Sequence, residues 1–257
     1  MILHAVEAGA DHGAGPPVAL LHGLFGAAGN FAAVQRRLAA GRRVIAFDLR
    51  NHGASPHDPT MSYLAMAEDV LDSLAALGVP SAALVGHSMG GKVAMRAALL
   101  RPDRVSRLLV ADIAPVRYDP AFRGIADAML ALPLAPGLAR AQADAALAPA
   151  VPDPAVRGFL LQNLRLGPAP AWRIGLREIA AGLPGIEGWD APPGAQYAGP
   201  VLMLRGERSD YVRTEHRPAV RALFPAAQSM TLKDAGHWLH ADAPGAFVEI
   251  VEAFLGG

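Results

Sequence analysis

Short apolar runs alternate with longer stretches of helical spacing through the first half of the chain. The runs PVALLHG (17–23), RVIAFDL (43–49), AALVGHS (82–88) and RLLVADI (107–113) are nearly continuous in apolar residues, the pattern of strands buried on both faces. Between them FAAVQRRLAA (31–40), SYLAMAEDVLDSLAALG (62–78) and GGKVAMRAALL (90–100) repeat apolar residues every three to four positions. This βαβ alternation predicts a mostly parallel central sheet flanked by helices. The rhythm breaks near Pro115. From Val116 to about Gly199 no good strand is evident, and AFRGIADAMLAL, AVRGFLLQNLRL and WRIGLREIAAGL read as helices separated by Pro and Gly. Strand-like runs return with PVLMLRG (200–206) and AQSMTLKDAG (227–236), and GAFVEIVEAFL closes the chain as a helix. Roughly 80 residues is far more than an ordinary crossover needs. The block 116–199 is therefore expected to be a helical cap inserted into a core made of 1–115 and 200–257.

Composition narrows the function. With 23 basic and 23 acidic residues in 257, there is no electrostatic footprint for nucleic acid or an anionic membrane. No cysteine is present, which excludes disulfides, thiolate catalysis and Cys-based metal sites. The start, MILHAVEAGADHG, has neither a basic segment followed by a long apolar stretch nor any run of membrane-spanning length, so a cytoplasmic protein without a membrane span is expected.

The segment ALVGHSMGGKVAM places Ser88 among glycines between a strand and a helix, as in the G-x-S-x-G nucleophile elbow. A serine hydroxyl needs a base. Of nine histidines, His237 in DAGHWLH follows the last strand and precedes the last helix, the place of the base in the chain order Ser, acid, His. His240 falls within the next turn and His87, beside the serine, is expected to point elsewhere. His22, His52 and His57 lie on loops after strands. No H-E-x-x-H pattern exists, and no metal or other cofactor is expected. The loop His22-Gly23-Leu24-Phe25-Gly26 offers backbone N–H groups for an oxyanion, with Leu24 preferred over Phe25 and Met89 as the second donor. Two carboxylates compete to orient the base. Asp112 ends a strand; Asp210 lies in RGERSDY, 27 residues before His237, and is favoured because chain order there fits the common triad. Tyr118, Phe122, Phe159, Leu160 and Trp172 in the insertion, with Trp238 beside the base, are expected to wall the substrate pocket.

HGLFG, LRNHGASPHDP with MSYLAMAEDV, GHSMGGKVAM, ADIAPV and AGHWLHADAP together resemble the α/β-hydrolase superfamily, and within it the small bacterial YbfF-type esterases and their mitochondrial relatives. The resemblance runs nearly end to end and is loosest through the insertion. It implies a capped α/β-hydrolase fold that cleaves esters or thioesters of acyl groups without a cofactor; the YbfF-type proteins resemble this chain in an acid at the place of Asp112, whereas most α/β-hydrolases keep theirs at the place of Asp210, so the resemblance does not settle the acid. The loop RNHGAS resembles the family's loop after the third core strand, where Asn51 and His52 are expected either to contact the site or, in preference, to brace it. The leading expectation is a serine hydrolase for carboxylic esters of short to medium acyl chains, a monomer or small homo-oligomer. Thioesterase, lactonase, C–C bond hydrolase and perhydrolase activities would use the same residues, and a non-catalytic small-ligand receptor is the rival of another class. Haloalkane dehalogenase and epoxide hydrolase are disfavoured because residue 88 is serine and not a carboxylate.

Overall fold

A computed structural model describes residues 1–9 and 15–256. Strand β1 (Ala5–Ala8) is followed by β2 (Val18–Leu21), helix α1 (Ala32–Leu38), β3 (Val44–Phe47), α2 (Tyr63–Ala76), β4 (Ala82–His87), α3 (Met89–Leu100) and β5 (Val105–Ala111). The next stretch holds α4 (Arg123–Ala131), α5 (Arg140–Leu147), α6 (Pro154–Leu160), the two-residue strands β6 (Leu164–Arg165) and β7 (Ala171–Trp172), and α7 (Leu176–Glu187). Then β8 (Val201–Gly206), α8 (Arg217–Leu223), β9 (Ala227–Leu232), α9 (Leu239–Asp242) and α10 (Pro244–Leu255) complete the chain.

Seven strands form one sheet in the order β1-β3-β2-β4-β5-β8-β9. All neighbours are parallel except β1, which pairs antiparallel with β3. The period-2 geometry of strands sorts their residues onto two faces. Val18, Leu20, Ala83, Val85, Leu109 and Ala111 pack with α1 and α10, whereas Ala19, Leu21, Ala82, Leu84, Leu108 and Val110 pack with α2 and α3. This explains the unbroken apolar runs of the sequence: both sides of each central strand are core. Helices α4, α6 and α7 share the second of these clusters, through residues such as Met129, Leu160, Ile179 and Leu183.

β1 and the β6–β7 hairpin are the elements that the sequence pattern did not predict. β1 is a half-exposed edge strand of four residues, too short to stand out without its partner β3. The hairpin consists of two pairs only, Leu164 with Trp172 and Arg165 with Ala171.

Because β3 and β4 flank β2 on opposite sides, the chain reverses its direction of travel across the sheet there. In open parallel sheets the crevice at such a reversal, outside the carboxyl ends of the strands, is where ligands bind. The loops after β2, β4, β5 and β9, which carry the candidate residues, all leave the sheet at that end.

Candidate active site

Ser88 stands between β4 and α3 with φ 52 and ψ −121, a conformation that L-residues rarely adopt. The neighbouring glycines make the sharp turn possible. A Cβ on Gly86 would lie 2.2 Å from the Gly90 carbonyl oxygen, and one on Gly90 would lie 2.2 Å from that of Leu21. Any side chain at either position would drive α3 away from the strands and move the serine.

The Ser88 hydroxyl lies 3.0 Å from His237 Nε2, and His237 Nδ1 lies 2.8 Å from Asp112 Oδ2. Asp112 is fully buried at the end of β5. Its Oδ1 accepts the Gly206 N–H at 2.9 Å and its Oδ2 accepts the Ser209 hydroxyl as well as the imidazole. An ionised carboxylate only accepts, so Nδ1 carries the proton and Nε2 presents a lone pair to the serine O–H. The Tyr211 ring stacks on the imidazole with centroids 4.0 Å apart and planes 19° from parallel.

The carboxylate in contact with His237 is therefore Asp112, and the preference for Asp210 is corrected. After β8 the chain turns tightly, with the Ser209 N–H bonded to the Gly206 carbonyl at 3.2 Å. That turn directs Ser209 inward to Asp112 and leaves Asp210 exposed, where its backbone carbonyl accepts from Arg213 Nε at 2.9 Å.

Phe25 is corrected in the same way. Its N–H donates to His52 Nε2 at 3.1 Å and so is already engaged, while its carbonyl is held by Asn163 Nδ2 at 2.7 Å. The N–H groups of Leu24 and Met89 have no hydrogen-bond acceptor among the described residues. His52 donates from Nδ1 to the Arg50 carbonyl at 2.8 Å; His22 accepts the Leu49 N–H at 3.0 Å and donates to the Gly23 carbonyl. Asn51 braces the same loop through both side-chain atoms, each bonded to the Asp58 backbone.

His87 does not point away. Its Nε2–H donates to the His237 carbonyl at 2.7 Å, and its ring packs 4.8 Å from that of His237. Adjacency to Ser88 gave no hint of this, since the partner is 150 residues away along the chain.

A cavity of about 300 Å³ opens onto Ser88 and His237, walled by Phe122, Ile125, Val156, Phe159, Leu160 and Trp238. Of the six residues expected to wall the substrate pocket, Phe122, Phe159, Leu160 and Trp238 line this cavity, together with Ile125 and Val156, which the sequence did not single out. Trp172 is not a wall residue: its indole N–H donates to the Met129 carbonyl at 3.1 Å and ties the hairpin to α4. Tyr118 borders a second, smaller cavity, its hydroxyl accepting the Ala114 N–H and donating to the Tyr211 carbonyl. Among the described residues no three His, Asp or Glu side chains are grouped as a metal site.

Residues 16–244 match the family described as alpha/beta hydrolase fold. The protein belongs to that family. This α/β hydrolase is 42% identical to sn-1-specific diacylglycerol lipase ABHD11 of Mus musculus, over 93% of its own chain and 81% of the relative. It is 36% identical to Esterase YbfF of Escherichia coli, covering 93% of the one and 92% of the other. A solved structure, "Marine microorganism esterase", superposes with a TM-score of 0.94 at 33% identity, over 99% of this α/β hydrolase and all of that chain. No helix among the described residues is long and apolar enough to cross a membrane.

The buried histidines are expected to make this α/β hydrolase acid-sensitive. Burial and the neighbouring His22 hold His52 down to about 3, burial and His237 hold His240 down to about 4, and burial lowers His22 and His87 as well. Each is neutral in the folded chain, whereas an unfolded imidazole takes up a proton near 6.5. Stability is therefore intact above about pH 6.5 and is lost as pH falls below it, down to the folded values. At about pH 5, His52 and His240 are each expected to cost on the order of 2 kcal/mol. The melting midpoint should drop between about pH 7.5 and 5, and a level profile would contradict the neutral assignments.

Proposed function

We propose that the protein is a carboxylic-ester hydrolase working through an acyl-enzyme on Ser88, with His237 as base and acid and Asp112 as the orienting carboxylate. The observation that carries this reading is the continuous relay from the Ser88 hydroxyl through the His237 ring to a carboxylate held by two further donors. His237 Nε2 takes the hydroxyl proton as Oγ attacks the acyl carbonyl carbon. The negative charge that develops on the carbonyl oxygen is held by the N–H groups of Leu24 and Met89, the latter at the first position of α3 where the helix dipole adds to the field. Collapse of the tetrahedral adduct expels the alcohol, which receives its proton from His237. Water then enters, gives a proton to the same nitrogen, attacks the acyl carbon and frees the acid. Asp112 favours the imidazolium formed at each stage, and the tyrosine stacked on the ring and the His87 bond to the His237 backbone limit its rotation.

Residues 116–199 act in this reading as a cap whose apolar side chains enclose the acyl chain. The reading extends to a small ester met in the cytoplasm by a monomer or small homo-oligomer. The names of the esterase and lipase relatives support ester chemistry. The test is a panel of p-nitrophenyl esters of increasing acyl length, run beside emulsified triglycerides and acyl-CoA thioesters. Each buried methylene is worth about 0.8 kcal/mol, so kcat/KM should climb about fourfold per carbon through the short and medium chains and fall once the cavity is full. A continued climb through long-chain triglycerides would overturn the enclosed pocket, and absence of turnover on every ester would overturn the hydrolase.

A further inference from the structure

The chain holds 23 basic and 23 acidic residues, but the balance is not kept everywhere. Between Tyr211 and Leu232 stand three arginines and a single carboxylate, Glu215. Arg217 and Arg221 lie one turn apart on α8, and Arg213 precedes them by a further four residues. All three are exposed. They border a cleft of about 270 Å³ between α8 and the β8–β9 edge of the sheet, which shares no wall residue with the cavity at Ser88. Its floor is apolar: Met203 of β8 and Val220 of α8 are only 3% and 7% exposed. Ser229 of β9 pairs with Met203 in the parallel register and so stands on the same face, its hydroxyl unbonded among the described residues. Of the three arginines, Arg213 is engaged within the chain. Its Nη1 lies 3.6 Å from Glu215 Oε1 and its Nε donates to the Asp210 carbonyl. Arg217 and Arg221 have neither a carboxylate within 4 Å nor a hydrogen-bond acceptor among the described residues.

Like charges one helical turn apart repel, and with no carboxylate beside Arg217 and Arg221 nothing in the chain offsets that repulsion. A guanidinium is planar, carries five N–H donors and keeps its proton, so two of them beside a hydroxyl, above an apolar floor, match the oxygens of a phosphate carried on an organic body. An anionic membrane is held by clusters of about four to eight basic residues on an outward face, whereas this site is concave and has three arginines. We propose that the cleft between α8 and the β8–β9 edge binds a small soluble phosphorylated molecule, a phosphomonoester or diphosphate, whose phosphate oxygens take Arg217 and Arg221 and whose organic part rests on Met203 and Val220. The site is separate from the ester-cleaving centre, and its test does not depend on that reading.

The test is calorimetric titration of the intact protein at low salt with inorganic pyrophosphate, AMP and adenosine. Pyrophosphate and AMP should bind with dissociation constants below about 1 mM, and adenosine, which lacks the phosphate, at least about 10-fold more weakly than AMP. Arg217→Gln and Arg221→Gln should each weaken binding about 10- to 100-fold through the loss of charge-assisted hydrogen bonds. Without ligand their melting temperatures should equal or exceed that of the unaltered protein, because repulsion between the arginines is relieved, so the loss of binding is not a loss of fold. The N–H groups of Leu24 and Met89 are a second place for an anion, and the titration is therefore repeated on protein whose Ser88 carries a phosphonate adduct, where binding should persist. Sedimentation with phosphatidylcholine vesicles containing phosphatidic acid separates a lipid headgroup from a soluble phosphate. The proposal is overturned if pyrophosphate and AMP both fail to bind at millimolar concentration, if their binding survives both substitutions or is lost with the adduct, or if the vesicles alone capture the protein.

Discussion

Ser88→Ala is expected to lower ester turnover by about 10^6-fold while leaving the fold in place. The size of the effect follows from the covalent route, because without Oγ there is no acyl-enzyme and the relay has nothing to deprotonate. The rest of the elbow does not depend on the hydroxyl. It is held by the Ser88 N–H bonded to the Ala111 carbonyl at 2.9 Å and by the close approach of α3 to β2 and β4 that the glycines permit. The loss of one hydrogen bond to His237 costs about 1 kcal/mol, a few degrees in melting temperature for a domain of this size. The measurement is steady-state turnover on a medium-chain ester, with a serine-directed phosphonate as reporter: intact mass should rise by one adduct in the unaltered protein and not in the variant. Activity above a few per cent in a preparation free of other esterases would end the assignment of Ser88 as nucleophile.

Asp112→Asn should reduce turnover by about 10^4-fold, while Asp210→Asn should leave it nearly unchanged. An asparagine at 112 keeps the shape but loses the negative charge that favours the imidazolium. It can also turn an N–H₂ toward His237, which then protonates on Nε2 and presents no lone pair to the serine. The burial of residue 112 makes the charge effect large, since no water is there to replace the carboxylate. Asp210 is exposed and its carboxylate has no bond to the imidazole, so the amide is a mild change there. The comparison is decided by kcat measured for both variants alongside their melting curves. A crippled Asp210→Asn with an active Asp112→Asn would restore the assignment by chain order, and equal partial losses would mean that both carboxylates serve the base.

Ser88 and His237, which the fold brings within hydrogen-bond distance, were legible because the signals that mark them are local. Packing a strand and a helix against each other around a tight turn demands residues without side chains at fixed offsets, and Gly86, Gly90 and Gly91 record that demand directly in the sequence. His237 follows from position along the chain in a sheet whose functional loops all leave from one end. The choice of acid was not legible. Asp112 and Asp210 both follow strands, and which one reaches the ring depends on a turn of three residues after Gly206 that exchanges Ser209 for Asp210 on the inner side. The engagement of the Phe25 N–H was equally hidden, since its acceptor His52 arrives from a loop 27 residues later. Between residues 116 and 199, helical spacing identified apolar faces but not their neighbours, so Phe122, Phe159 and Leu160 were assigned to the cavity together with Trp172, which packs against α4 instead.

Sequence alone therefore determined the layered α/β architecture, the elbow serine between β4 and α3 and the histidine after the last strand. Each of these is written in backbone sterics or in burial with a period of two or 3.6, properties that a residue and its near neighbours carry with them. Tertiary structure decided the partner of the imidazole, which backbone N–H groups near Ser88 stay unpaired, and the bond from His87 to the His237 carbonyl. These are pairings between residues far apart in the chain, where hydrogen-bond reach of a few tenths of an ångström separates one candidate from another, and only the packed sheet with its covering helices sets those distances.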